Sequence, residues 1–233
     1  MKKVYNPYLK RSISRNYIEK IQRNRLGAEI TFPLRDITDV LSGWEGDFSC
    51  YSLLDIGCGT GNISNHESIK RFRSYVGIEP SKEFFEYANK HNKNNNTEFY
   101  NCSAEDLPFE DESFDFVISI EMWYYIKDID KAAKELSRVL KNNSHFLIHT
   151  RNPDEMLNWD QTQKVISESN DDLRVHSGIT IGNHEGVLDL GEYFVPKLSL
   201  EDLTNSFVNA NLKIREVEKY KYDRIMIQGV KND

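Results

Sequence analysis

The run Leu53-Leu54-Asp55-Ile56-Gly57-Cys58-Gly59-Thr60-Gly61 constrains this chain more than any other segment. Tyr51 to Ile56 is a short apolar stretch that stops at glycines, the pattern of a buried strand. Glycine in a turn directly after a strand lets backbone approach a ligand closely. In an open α/β sheet ligands lie outside the carboxyl ends of the strands. Gly57, Gly59 and Gly61 therefore predict a ligand-binding turn at a strand end. A dinucleotide loop would read G-x-G-x-x-G/A with a pyrophosphate on the following helix. Here the third small residue comes one place early and position 62 is Asn. Asp55 would also repel a pyrophosphate, whereas it suits a ligand carrying sulfonium and ammonium charges. A nicotinamide enzyme is thus disfavoured.

The pattern around this turn is repetitive. Tyr75 to Glu79, Thr97 to Asn101, Phe114 to Ile120 and Ser144 to Thr150 read as further strands. Between them lie helical segments: Asn62 to Phe72, a helix capped by Ser81 with Phe84, Phe85 and Ala88 on one face, and Ile129 to Leu140. Strands alternating with helices predict an α/β fold with a parallel sheet covered on both faces. Leu200 to Leu212 reads as a helix. Lys213 to Lys221 and Arg224 to Val230 alternate apolar and polar residues across a short link and predict an antiparallel hairpin, for seven strands in all. Ahead of the sheet, Ser12 to Leu26 and Pro33 to Leu41 carry helical spacing and predict a helical cap. Residues 151–186 are polar and show no clear strand repeat. With neither linker nor repeat, the expectation is one domain over 1–233: a cap over 1–45, a ligand-binding core over 50–150, an insertion over 151–195, and a terminal helix and hairpin over 196–233.

Composition narrows the partners. The formal net charge is −7 with 39% hydrophobic residues, an acidic balance for a packed chain and a poor match to nucleic acid. No apolar run approaches the roughly 20 residues of a membrane span, and Met1-Lys2-Lys3 has no apolar run behind it, so neither a membrane segment nor a secretory signal is expected. The three cysteines, Cys50, Cys58 and Cys102, form no metal spacing. They are expected as buried small hydrophobes in a reducing, cytoplasmic setting.

Four ordered motifs carry a resemblance to the class I S-adenosylmethionine-dependent methyltransferases, in particular the small-molecule branch that includes quinone-biosynthesis enzymes. They are Leu54 to Gly61, Val76-Gly77-Ile78-Glu79-Pro80-Ser81, Ala104-Glu105-Asp106-Leu107-Pro108-Phe109, and Ser113 to Val117 with the helix end Leu136-Ser137-Arg138-Val139-Leu140-Lys141. They span roughly residues 50–150. The resemblance implies a Rossmann-like fold, S-adenosyl-L-methionine as cofactor and S-adenosyl-L-homocysteine as product. It places Asp55, Gly57, Cys58 and Gly59 at the methionine end, Glu79 on the ribose, and Pro80 and Ser81 beside the adenine. Ala104 and Glu105 fall at the adenine edge, and Ser119 and Ile120 beside the methionine moiety. Ser103 stands where many relatives have an acid, which weakens that contact.

Methyl transfer from a sulfonium is an in-line displacement, so the protein mainly positions the nucleophile. A base is needed only when the nucleophile arrives protonated; no metal is expected. His149, at the end of the fifth strand, is the leading base candidate, with Glu121 and Tyr124 beside it. Trp123-Tyr124-Tyr125 is expected as an aromatic wall. Arg151, Trp159, His176, His184, Glu192 and Tyr193 are further candidates, and Tyr17 and Arg25 could close over the cofactor. Glu121, Asp154, Asp160, Glu185 and Glu192 predict an acidic mouth suited to a cationic acceptor. The tetrad of nucleic-acid amino-methyltransferases is missing, since the place reads Ser119-Ile120-Glu121-Met122. The expected acceptor is a small molecule, methylated on nitrogen or oxygen. The alternatives are a short peptide, methylated at its N-terminus, and a protein that binds the cofactor without catalysis.

Overall fold

The computed structural model describes residues 14, 15, 18, 32–158, 163–168, 173–181, 187–196, 198–220 and 224–233. Of 32–36, 156–158, 163–168, 173–181 and 187–196 only the backbone is described. A helix α1 (Phe32–Gly43) precedes β1 (Ser52–Ile56), α2 (Glu67–Lys70), β2 (Ser74–Ile78), α3 (Lys82–His91) and β3 (Thr97–Tyr100). Then come β4 (Phe114–Ile120), α4 (Ile129–Val139) and β5 (Leu140–Arg151). After β6 (Gln163–Glu168), β7 (Leu173–Ile181) and β8 (Val187–Pro196), the chain ends in α5 (Leu200–Asn209), β9 (Leu212–Tyr220) and β10 (Arg224–Lys231).

The main sheet has seven strands in the order β3-β2-β1-β4-β5-β10-β9. Its first five strands are parallel, and β10 runs antiparallel to both β5 and β9. The chain order reverses between β1 and β4, so the carboxyl ends of those strands flank the switch point where such sheets bind ligands. Side chains alternate across the sheet as the pleat requires. Leu54, Ile56, Val117 and Ile148 join Leu136 of α4 and Phe207 of α5 in one core. Leu53, Ile118 and Leu147 join Ile37 and Leu41 of α1 and Ile69 of α2 in the other.

The helices start where their sequences provide caps. The Asp128 carboxylate accepts the Lys131 N–H at 3.0 Å ahead of α4. Ser199 and Asp202 form a reciprocal capping box ahead of α5. The latter helix lays Phe207 edge-on against Trp123, with ring centroids 4.7 Å apart.

Three expectations change. The helix expected over Asn62–Phe72 is a 3-10 turn over Asn62–Asn65 followed by the single turn of α2. His66 breaks it: its backbone is extended and its Nδ1 accepts the Ser68 N–H at 3.2 Å. Local side-chain bonds of this kind compete with helix propagation. Ser81 occupies the N-cap position of α3 without a side-chain cap bond, because its hydroxyl pairs with that of Ser14 at 2.9 Å. The segment read as lacking strands holds a separate three-stranded antiparallel sheet, β6-β7-β8. The alternation Leu173, Val175, Ile179, Ile181 was its signal, interrupted at Ser177. The residues of the first expected helix outside positions 14, 15 and 18 lie outside the described residues.

Phe207 tests the packing. It is fully buried and touches both Trp123 and Phe146. Phe207→Ala should lower stability by about 3–5 kcal/mol in urea denaturation. A loss below about 1 kcal/mol would show that α5 is not anchored through this ring.

Candidate functional site

The turn after β1 is held from below. The N–H groups of Gly57 and Cys58 both donate to the Ile78 carbonyl at 2.9 Å. Gly57 has φ +81°, and a Cβ there would lie 2.7 Å from Met122 Cγ. The residue after Glu121 therefore packs directly on the turn, which demands glycine on both counts. Gly59 differs: it also has positive φ, but a Cβ there would meet nothing within 4 Å. Its surroundings are open among the described residues.

Two carboxylates lie under this turn. Glu79, just past β2, is buried. Its Oε1 accepts the Ser81 N–H at 2.7 Å and its Oε2 accepts the Gly59 N–H at 3.0 Å. A carboxylate has about four acceptor positions, so each oxygen can still receive a ligand hydroxyl. Asp55 is buried too, and its Oδ2 accepts the Tyr75 hydroxyl at 2.6 Å. Its Oδ1 has no hydrogen-bond partner among the described residues. Burial pushes both carboxyls up to about 7, against the Tyr75 bond for Asp55 and the two backbone bonds for Glu79. The half-buried Cys58 thiol is raised by loss of solvation and by the two carboxylates. Buried carboxylates are costly without a cation. A ligand bringing positive charge and hydroxyl donors, as S-adenosylmethionine does, fits these groups.

The other residues expected around the cofactor fall on the same edge. Pro80 and Ser81 follow Glu79, and Asn101 Nδ2 donates to the carbonyls of Glu79 and Pro80 at 2.8 and 3.2 Å. Ser103, Ala104 and Glu105 lie on the loop after β3, with Ala104 buried. Composition and spacing gave no role to what fixes that loop. Arg138 of α4 donates to the carbonyls of Leu107 at 3.0 Å and Phe109 at 2.6 Å. Glu135, bonded to Arg138, accepts the Leu107 N–H at 2.8 Å. Ser119 is fully buried and donates to the Ile56 carbonyl at 2.8 Å, locking the end of β4 to the end of β1, while Ile120 beyond it is half-buried.

One position past β4, Glu121 takes φ +58°, uncommon for a residue with a side chain and frequent where geometry serves a site. Its Oε1 accepts from Arg224 Nε at 3.0 Å and lies 3.2 Å from His149 Nδ1. Its Oε2 accepts from Arg224 Nη2 and from the Tyr124 hydroxyl, both at 3.3 Å, and lies 3.8 Å from Arg151 Nε. Arg151 and Arg224 are direct partners across β5 and β10. Two like charges placed opposite repel, and Glu121 lies between them. Burial would raise the Glu121 carboxyl, but His149, Arg224 and Arg151 outweigh it and bring it down to about 2.

These facts correct several expectations. A carboxylate held so low is a poor base near neutral pH. Glu121 also contributes no net negative charge to a mouth in which it meets two guanidinium groups. Asp154 is engaged as well, since its Oδ1 accepts the Leu200 N–H at 2.9 Å. The His149 ring is fully buried and offers no surface to an acceptor. Trp123 is core, not wall. The Tyr124 and Tyr125 rings pack against each other, tilted by 53° with centroids 4.3 Å apart. Cys50 is exposed, not buried. Glu192 and Tyr193 lie on β8, opposite Ser177 and His176 of β7, and their side chains are not described. The backbone of β8 passes within 8 Å (Cα to Cα) of Trp123–Tyr125, which puts the small sheet beside this end of the site. Trp159, Asp160, His184, Glu185, Tyr17 and Arg25 lie outside the described residues.

Residues 54–148 match the family model described as a methyltransferase domain. A ubiquinone biosynthesis O-methyltransferase of Pelagibacter ubique is 37% identical over 102 residues, covering 43% of this chain and 42% of that protein. The chain thus matches less than half the length of this curated relative. Two solved structures extend the likeness to nearly the whole fold. An S-adenosylmethionine-dependent methyltransferase of Clostridium acetobutylicum aligns with TM-score 0.65 at 17% identity, over 94% of this chain and 99% of that one. A sugar N-methyltransferase of Streptoalloteichus aligns with TM-score 0.67 at 17% identity, over 92% and 93%.

The raised carboxyls set a pH signature. The unfolded chain releases the protons of Asp55 and Glu79 near pH 4, while the folded chain holds them to about 7. Through that window the folded state binds more protons, so stability falls as pH rises. The urea midpoint of the ligand-free protein should be higher at about pH 5.5 than at about pH 8, and Asp55→Asn should reduce that difference. Equal slopes for the two proteins would mean that Asp55 ionises normally.

Proposed function

We propose that this chain, whose residues 54–148 belong to the methyltransferase domain family, is an S-adenosylmethionine-dependent methyltransferase acting on a small-molecule acceptor. The pair of buried carboxylates at the glycine turn carries this reading. Asp55, whose Oδ1 has no partner among the described residues, and Glu79 with its remaining acceptor positions form a site for a cationic, hydroxylated ligand. The bound cofactor supplies a methyl group on a sulfonium. Asp55, Cys58 and the backbone of Gly57 and Gly59 hold its methionine end, with Ser119 and Ile120 alongside. Glu79 receives the ribose hydroxyls. Pro80, Ser81, Ser103, Ala104 and Glu105 surround the adenine.

The acceptor enters over the ends of β4 and β5. Glu121, pinned by Arg224 and flanked by Arg151, Tyr124 and His149, shapes that side and holds its charge fixed through neutral pH. His149 and Glu121 act as positioning residues there. The nucleophile is a nitrogen or oxygen that reaches the methyl group in line, and its orientation supplies most of the rate. The names of similar proteins, a ubiquinone biosynthesis O-methyltransferase, a fatty-acid O-methyltransferase and a sugar N-methyltransferase, support a small-molecule acceptor. In this reading the four segments of the chain work as one unit, with β6-β7-β8 walling the acceptor. Its free cysteines suit a reducing cytoplasm, and no helix of the described residues is long and apolar enough to cross a membrane.

Calorimetry tests the cofactor. S-adenosylhomocysteine should bind and NAD should not, and Glu79→Ala should weaken binding by about 1–3 kcal/mol. Absence of binding, or unchanged affinity in the variant, would overturn the reading of this edge.

A further inference from the structure

Asp55 stands next to Gly77 of β2 on one side and Ile118 of β4 on the other. Tyr75 lies two residues before Gly77, on the same face of β2, and reaches Asp55 with a 2.6 Å hydrogen bond. The phenol is buried, and its ring is edge-on to Phe99 with centroids 6.0 Å apart. Gly77 has no side chain, and Cys58 and Phe99 fill its place: a Cβ there would lie 2.7 Å from Cys58 Sγ and 2.9 Å from Phe99 Cδ1. So the buried Asp55 and Tyr75 adjoin the half-buried Cys58 beside the glycine turn. Asp55 has one oxygen bonded and one without a partner among the described residues. A buried acceptor left unpaired costs about 1–3 kcal/mol, and more when charged. Such groups call for an explanation, of which a ligand is one.

We propose that Tyr75 is a positioning residue for cofactor binding: its hydroxyl takes Oδ2 of Asp55 and fixes the carboxylate so that Oδ1 is the acceptor for the cationic methionine end of S-adenosylmethionine. This rests on the cofactor placement proposed above. It adds a residue from the start of β2, remote in sequence from the glycine turn. The chemistry is a proton exchange. Near neutral pH the ligand-free carboxyl is partly protonated, because burial raises it to about 7 while the Tyr75 bond restrains the rise. Binding the cation converts Asp55–COOH to Asp55–COO⁻, and the proton leaves to solvent. Tyr75 of β2, Glu79 just past it and Cys58 of the turn are the described titratable groups that interact with Asp55. Glu79 therefore contributes its own proton exchange, and the test must separate the two.

The test is titration calorimetry with S-adenosylmethionine at about pH 7 in two buffers of different ionisation enthalpy, which gives affinity and protons released together. The proteins are the full chain, Tyr75→Phe, Asp55→Asn and the double variant, with thermal unfolding as the check on folding. Tyr75→Phe removes one hydroxyl and no ring. It should bind about 3- to 10-fold more weakly and release more protons than the parent, since Asp55 loses the bond that favours its ionised form. Asp55→Asn should bind at least about tenfold more weakly. In the Asp55→Asn background the Tyr75 change should alter neither affinity by more than about twofold nor the proton count. If Tyr75→Phe matches the parent, or its effect is the same size in both backgrounds, Tyr75 acts only through packing and the inference falls. If Asp55→Asn binds like the parent, the cofactor placement falls with it.

Discussion

The Glu79 carboxylate is the tie on which the site depends. It is buried between two strand ends, with one oxygen on the Gly59 N–H and the other on the Ser81 N–H. The first bond fixes the turn after β1, and the second fixes the entry to α3. Three further links complete the edge. The Ile78 carbonyl receives the N–H groups of Gly57 and Cys58, Ser119 binds the Ile56 carbonyl, and Met122 packs where Gly57 lacks a side chain. The ends of β1, β2 and β4 are thereby a rigid frame, while the site itself lies on their loops. This is how a precise constellation is usually built.

That frame separates two electrostatic regions. Under the glycine turn, burial raises Asp55 and Glu79 toward neutrality. Beyond β4, the guanidinium groups and His149 hold Glu121 ionised. Desolvation acts upward on the carboxyls of both regions, so it does not by itself distinguish them. The partner set does. Asp55 meets a phenol, and Glu79 meets backbone N–H groups, whereas Glu121 meets Arg224 and Arg151. Neutral donors leave part of the desolvation cost for a cationic ligand to offset. Charged partners offset it within the protein.

Much of the fold was legible because its signals are local. The five parallel strands announce themselves as apolar runs ending in turns, and the β9–β10 hairpin by its alternation. The Asn62–Phe72 helix was misread because its apolar spacing is helical while His66 closes a local bond with Ser68. The β6-β7-β8 sheet was missed because its alternation is broken by polar residues. On the ligand edge, the motifs placed Asp55, Glu79 and the Ala104 loop near one another. They could not show that Tyr75 meets Asp55, or that Arg138 pins the loop, because both contacts join residues far apart in the chain. The guanidinium partners of Glu121 were hidden for the same reason. Arg224 lies 103 residues from Glu121, and only the antiparallel return of β10 brings it beside Arg151.

The carboxylates at the ends of β1 and β2 are proposed to hold S-adenosylmethionine. A crystal structure of the full chain with S-adenosylhomocysteine tests it most directly. Both ribose hydroxyls should lie on the Glu79 carboxylate, the methionine end over Gly57 and Gly59, and the adenine against the Ala104 loop. A ligand bound elsewhere, or one that leaves Glu79 without a ribose hydroxyl within hydrogen-bond distance, would contradict it.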